Sequence, residues 1–372
     1  MTEILAPSLD NIQRISEVLK SGEIAGIPTE TVYGLAADAW NEKAISKIYN
    51  AKERPSFDPL IIHLGFQQVS PHQEPLKTMH EKLHLIDLDL IPEANRIWIE
   101  FLIKSFWPGP LTFILPKSDH LSSIVTGGLK TVGLRMPAHP ITQGLLNQSQ
   151  LQLAAPSANR FGKISPTRAI DVKKELNGKV KFILNGGQCQ KGLESTVIDC
   201  TQANQVTILR PGAVSKNILQ KTLEPYKSVS VSTAIELSGK NEIQSPGQLS
   251  SHYAPRQRCI LLEGPLEEVL KQESFEVSFS KLKGQVAVLF AKAPSASLTE
   301  RLNQYESIEI FYRILSEEGN SDEAAHQLFS HLREIDESSA KIVYMEPWPS
   351  SEGLGHAISD RIRRACAPRE TF

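Results

Sequence analysis

Cysteine is scarce in this chain: four residues among 372, at Cys189, Cys200, Cys259 and Cys366, with no CxxC pair and no Cys/His cluster. That scarcity excludes a disulfide scaffold and a structural zinc site and fits four ordinary thiols in a reducing compartment. A charge bias is lacking as well. With 40 basic and 42 acidic residues the formal net charge is -2, so no global attraction to nucleic acid or anionic membrane is implied, although a local basic groove stays open. No apolar run approaches the roughly 20 residues of a membrane helix, and the N-terminus MTEILAPSLDNIQ has neither a basic start nor an apolar stretch of signal-peptide length. A cytoplasmic protein without membrane attachment is expected. Phosphate-binding signatures are missing too: there is no GxxxxGK[ST] loop, and GGLKTVGLR contains no GxGxxG. Nor is there a GxSxG elbow, and Ser157 has no evident His/Asp partners, which argues against serine hydrolase chemistry. His72, His80 and His84 lie in a polar stretch without a second ligand type at metal spacing. They read as surface residues, and no protein metal site is expected.

What is present is a length suited to two domains and 40% apolar residues, enough for sizeable cores. Asp10 to Lys20 is amphipathic through Ile12, Ile15, Val18 and Leu19, with Gly22 as its C-cap. A short strand, Ile24 to Ile27, stops at Pro28 and opens into Thr29, Glu30 and Thr31 ahead of Tyr33 and Gly34. Asn41 caps a helix marked by Ala44, Ile45, Ile48 and Tyr49 that ends near Arg54. Helical periodicity returns at Ile97 to Phe106. Strands follow in WPGPLTFILP, GLKTVGLRMP, LQLAAP, KVKFILNGG, STVIDC and VTILRPG, the last two as a pair. This alternation indicates an α/β domain of mixed sheet over residues 1–212. Residues 213–256, with a weak helix, a serine-rich tract and SPGQLSSHYAPR, read as a linker. Residues 257–372 hold four strand candidates, CILLEG, QVAVLF, IEIFYR and KIVYME. Helical patterns at Pro265 to Lys271, Asp322 to Ile335 and Leu354 to Ala367 alternate with them, as in a small Rossmann-like α/β domain.

Four polar clusters fall at the edges of short apolar strands, where open α/β sheets place ligands. They are PTETVYG, the KER of AKERPSFDPLIIHL, Arg135 in VGLRMP, and PSANRFGKISPT. Pro55 and Pro59 forbid a regular helix between Arg54 and the strand that carries His63. Arginine forks, a lysine point charge and Ser/Thr donors suit a phosphorylated small molecule. Taken alone, the KER segment reads equally as two cations at a helix C-terminus, followed by a core strand with a satisfied histidine. Arg135 could pair with an acidic neighbour, Ser157 and Asn159 could form a turn, and Glu30 reads as an exposed turn carboxylate rather than a base.

In order along the chain, PTETVYGLAADA, KERPSFDPLIIH, WPGPLTFIL, VGLRMPAHP, APSANRFGKISPT, ESTVID, LRPGA and SPGQLSSHYAP resemble the YrdC-like family in its two-domain form, the threonylcarbamoyl-AMP synthases. The blocks cover nearly all of the first 255 residues. The resemblance implies a twisted mixed sheet followed by a smaller Rossmann-like domain. It also implies a reaction: L-threonine, bicarbonate and ATP give threonylcarbamoyl-AMP and pyrophosphate, the first step of threonylcarbamoyladenosine formation in tRNA. Lys52 and Arg54 match the family's KxR motif and are expected to be catalytic and to hold phosphate. Ser157 and Asn159 match its SxN motif. Thr112, Ser165 and Arg210 are the further ATP contacts that it implies, with Asp58, His252 and Tyr253 also at the nucleotide and Tyr253 closing over it. Thr31, His63, Arg135 and Ser195 fall where the family holds threonine. Mg2+ would accompany ATP as substrate, with no tightly bound organic cofactor. Product would pass to the tRNA threonylcarbamoyl transferase complex, and weak RNA binding would accompany this.

The chain departs from the family at Asp58, where asparagine or lysine is common, in the longer stretch Phe66 to Lys104, and in the QLS of SPGQLSSHYAP. Two competing readings are an RNA-binding module using the same concave site and a carbamoyl transferase with another acceptor. Few aromatics stand among the cations of the motifs, unlike single-strand binders. The zinc-finger and acylphosphatase parts of the multidomain carbamoyl transferases are missing.

Overall fold

The computed structural model describes residues 1–234 and 253–368. They belong to two compact units, Met1–Phe161 with Ser165–Gln248, and Gly162–Ile164 with Leu249–Phe372.

In the first unit, local signals set the element ends. Ser8 accepts a hydrogen bond from the Asn11 amide and starts the helix Leu9–Lys20, whose Ile15 and Leu19 are buried; Gly22 follows at φ +81°. Asn41 caps Glu42–Lys52 in the same way, and Glu53 ends that helix in the left-handed region, so the chain leaves it at Arg54 as the sequence suggests.

Eleven strands form one sheet: β1 Glu3–Leu5, β2 Ala25–Ile27, β3 Gly34–Asp38, β4 Ile61–His63, β5 Leu111–Pro116, β6 Thr131–Arg135, β7 Leu153–Ala154, β8 Phe182–Leu184, β9 Thr196–Asp199, β10 Gln205–Arg210 and β11 Ser230–Thr233. Their order is β1-β8-β2-β3-β7-β4-β6-β5-β9-β10-β11. Parallel pairs (β4 with β6, β5 with β9) alternate with antiparallel ones (β5 with β6, β9 with β10), so the sheet is mixed.

Several elements differ from expectation. β3, GLAAD, is a strand although its small residues carry little strand propensity; both faces are covered, and burial supplies what propensity does not. β11 pairs with β10, and the helix Lys216–Thr222 precedes it, so the first sheet extends into the stretch assigned to the linker. The region from 66 to 92 is polar in composition yet anchored: Val69, Leu76, Met79, Leu85, Ile86 and Ile91 all enter the core. His72 and His84 are exposed there, while His80 is half-buried with Nδ1 3.0 Å from the Ile86 carbonyl oxygen.

The second unit has a four-stranded parallel sheet of β12 Arg258–Leu261, β13 Gly284–Phe290, β14 Ile308–Ile314 and β15 Ile342–Met345, in the order β12-β15-β13-β14. All four are the strands expected. The helices Ser321–Glu337 and Leu354–Cys366 were also expected; Glu273–Ser280 and Ala296–Asn303 were not. Its core gathers Leu266, Phe279, Val288, Phe290 and Tyr344. Among the described residues no helix is long and apolar enough to cross a membrane. All four cysteines are free thiols, Cys189 and Cys200 buried.

Candidate active site

Strand register gathers the candidate residues of the first unit. His63 of β4 aligns with Arg135 of β6. Phe113 aligns with Leu134, which puts Thr112 one step along, beside Arg135. Thr112 in turn aligns with Val197 of β9, and Arg210 of β10 with the same Val197. Residues from position 63 to position 210 therefore form one row across five neighbouring strands. Two glycines make the row possible. A Cβ on Gly109 would meet the Phe106 carbonyl at 2.2 Å, and one on Gly212 the Thr196 amide nitrogen at 2.4 Å; the backbones approach too closely there for any side chain.

At one end of the row Arg135 is buried. Its Nη2 donates to Glu30 Oε1 at 2.7 Å and its Nε to the Gly109 carbonyl at 3.3 Å. Glu30 Oε2 accepts from the Ala138 amide at 3.1 Å. The expectation of an exposed turn carboxylate is corrected here: Glu30 is 5% exposed, because the turn after β2 folds inward over the sheet. The next residue, Thr31, is fully buried with its hydroxyl 2.9 Å from that of Thr29. His63 is buried as well, with Nδ1 3.3 Å from the Ile61 carbonyl oxygen. Burial and the Arg135 cation depress its pKa to about 3, although the Ile61 and Leu153 carbonyls oppose the shift. The imidazole is neutral at neutral pH and can hydrogen-bond a substrate without adding charge.

In the middle, Thr112 Oγ1 and Ser195 Oγ lie 2.8 Å apart. Arg210 Nη2 donates to the Ser195 carbonyl at 3.0 Å and to its hydroxyl at 3.1 Å. Ser165 donates to Glu194 Oε1 at 2.6 Å, with both residues buried. Glu194 is a site residue that sequence reasoning passed over, and Glu30 one that it placed at the surface. Each is a carboxylate directly before a hydroxyl residue at the edge of a buried strand, a signal that was available.

The KER segment supplies further cations. Arg54 Nη2 lies 2.8 Å from Asp58 Oδ1 and donates to the Pro59 carbonyl at 2.8 Å. Asp58, the residue that departs from the resembled pattern, thus has its carboxylate on Arg54. Burial raises its pKa, while Arg54, Lys52 and Arg210 oppose the rise. Lys52 is almost fully buried and donates to the Asn159 carbonyl at 2.6 Å and to the Ser157 carbonyl. Burial first, and Arg54 second, hold its pKa well below the ordinary lysine value. The lysine therefore ties the KER segment to the SAN turn through neutral carbonyls, with no carboxylate in hydrogen-bond range among the described residues. Asn159 Nδ2 donates to the Arg160 carbonyl at 2.8 Å, and Ser157 bridges Gly34.

Tyr33 is buried, its hydroxyl donating to the Gly187 carbonyl at 2.8 Å. Tyr253, expected at the nucleotide, belongs to the second unit, where its ring stacks on Phe329 at 5.2 Å and lies 5.3 Å from the Arg361 guanidinium. His252 falls outside the described residues. Among those residues no group of three metal-ligating side chains is present.

Chemically, the first unit gathers a buried guanidinium at Arg135, neutral hydrogen-bonding groups at Thr31, His63 and Ser195, and the basic side chains of Lys52, Arg54 and Arg210. Residues 17–212 match the Sua5/YciO/YrdC family model, described as "Telomere recombination". Residues 214–367 match the model of the threonylcarbamoyl-AMP synthase C-terminal domain. The chain is 35% identical over 353 residues to a threonylcarbamoyl-AMP synthase of Pyrococcus abyssi, covering 94% of this chain and 92% of the relative. It is also 35% identical over 373 residues to that of Bacillus subtilis, covering 99% and 96%. Among solved structures, P. abyssi Sua5 complexed with L-threonine superposes with a TM-score of 0.80 at 35% identity, covering 98% of each chain.

Proposed function

From the premise that this chain belongs to the two-domain YrdC-like family of threonylcarbamoyl-AMP synthases, we propose how its own residues carry that reaction. The enzyme makes threonylcarbamoyl-AMP for threonylcarbamoyladenosine formation in tRNA. Arg135 takes the threonine carboxylate, and Thr31, neutral His63 and Ser195 hold its polar groups. The free amine and bicarbonate form N-carboxythreonine with loss of water, and its new carboxylate attacks the α-phosphate of ATP while pyrophosphate leaves. Such a displacement needs in-line positioning and cations on the phosphates more than covalent help. Lys52 and Arg54 supply that charge, with Mg2+ arriving on ATP. Ser157, Asn159, Ser165, Thr112 and Arg210 hold the nucleotide. As the carbamoyl donor for tRNA, the product passes to a threonylcarbamoyl transferase.

One observation carries this reading. Ser195, on the amino-acid side, touches both Thr112 and Arg210, on the nucleotide side, so the two substrates would meet at a single contact. Measured with the full chain, pyrophosphate release should require L-threonine and bicarbonate together. Release indifferent to threonine would overturn the assignment.

A further inference from the structure

Two bonds fix the orientation of the Arg135 guanidinium. Nε is engaged by the Gly109 carbonyl and Nη2 by Glu30, while Nη1 makes no hydrogen bond among the described residues. Glu30 is itself held on its other oxygen by the Ala138 amide, and its backbone carbonyl accepts from the Lys191 amide at 2.7 Å. The residue is thus anchored from two separate loops, its carboxylate by MPAHP and its backbone by the stretch before ESTVID. It is a rigid strut and not a mobile counter-ion. Both side chains of the pair are nearly inaccessible, at 5% and 6%, so the guanidinium cannot turn to water without leaving a buried charge unpaired.

We infer that Glu30 is the positioning residue for amino-acid recognition: by pinning one edge of Arg135 it leaves Nη1 as the donor for the substrate carboxylate and sets its direction. This rests on the proposed role of Arg135. The pair also balances the pocket electrically before substrate arrives, because His63 is neutral. An incoming amino acid meets a fixed guanidinium, whose Nη1 edge matches a free α-carboxylate. Free α-amino acids are therefore favoured over their amides or esters, which lack the carboxylate that Nη1 seeks.

The test is calorimetric binding of L-threonine and, separately, of ATP to the full chain. Glu30→Gln should weaken threonine about tenfold or more and leave ATP affinity within about twofold. Glu30→Asp, which keeps the buried charge balanced and so protects the fold, should still weaken threonine several-fold, because the shorter side chain cannot pin Nη2 in the same place. In a background of Arg135→Lys, the Glu30 substitutions should have almost no additional effect on threonine. A purely structural role predicts instead that threonine and ATP affinities fall together and that the effects add. Unchanged threonine affinity in Glu30→Asp, or additivity with Arg135→Lys, would overturn the inference. Absence of threonine binding in the unsubstituted protein would instead overturn the functional reading beneath it.

Discussion

The strand ends of the two sheets make opposite use of buried charge. In the second unit, the carboxyl end of the parallel sheet is where an open α/β layer would take a phosphate. Glu346, directly after β15, occupies that position. It accepts from the Leu266 amide at 2.7 Å and the Ala291 amide at 3.0 Å, two groups that could otherwise receive an anion. In the first unit, Lys52 rests on neutral carbonyls, and Arg54 lies on the Asp58 carboxylate. One sheet supplies its own anion; the other buries a lysine on neutral carbonyls, where an anionic phosphate would supply the missing counter-charge. Topology alone would point to the second unit, and the balance of charge points to the first.

The strongest way to break this contrast is to remove the charge of that lysine. Lys52→Met should lower product formation about 100-fold or more, the scale of losing one electrostatic group at a reacting phosphate, as read in a steady-state pyrophosphate assay. Arg54→Ala removes the guanidinium that lies on the buried Asp58 carboxylate and should cost about 3 to 5 kcal/mol of stability in denaturant unfolding. Combining Arg54→Met with Asp58→Leu should recover much of that stability without recovering activity, which separates phosphate binding from folding.

His63 gives a smaller and pH-dependent effect. Its pKa is lowered in the folded state, so the unfolded chain binds the extra proton between about pH 6.5 and 3. Stability from this group is complete above pH 6.5 and falls as the pH drops through that window, by about 2 kcal/mol between pH 6.5 and 5. His63→Gln should flatten that slope in unfolding titrations. The smallest change is expected in the second unit. Glu346→Gln keeps one acceptor and loses the other, so it should cost about 1 to 2 kcal/mol, read as faster hydrogen exchange at the Leu266 and Ala291 amides, with product formation little altered. A large loss of synthesis there would show that the second sheet takes part in the chemistry.

Much of this was legible in the sequence, for physical reasons that can be named. The strands of the second unit are apolar runs of ordinary length, and the helix ends at Ser8 and Asn41 are set by their own side chains. β3 was not legible, because GLAAD carries no strand signal and forms only between β2 and β7. Nor was the polar region after Phe66, where six dispersed apolar residues make the anchor. The motifs named the cations and hydroxyls of the site but not their partners. That Arg135 lies on Glu30, Arg54 on Asp58 and Lys52 on the SAN carbonyls depends on strand register and loop path across more than a hundred residues for two of the three. Local spacing holds no record of that.

Mass detection of threonylcarbamoyl-AMP, after ATP, Mg2+, L-threonine and bicarbonate are mixed with the unsubstituted chain and with Lys52→Met, tests the central claim most directly. Product should accumulate with the unsubstituted chain only when all substrates are present, and Lys52→Met should stay near background. Product formed by Lys52→Met at the unsubstituted rate would contradict the assignment of the chemistry to the cations of the first sheet.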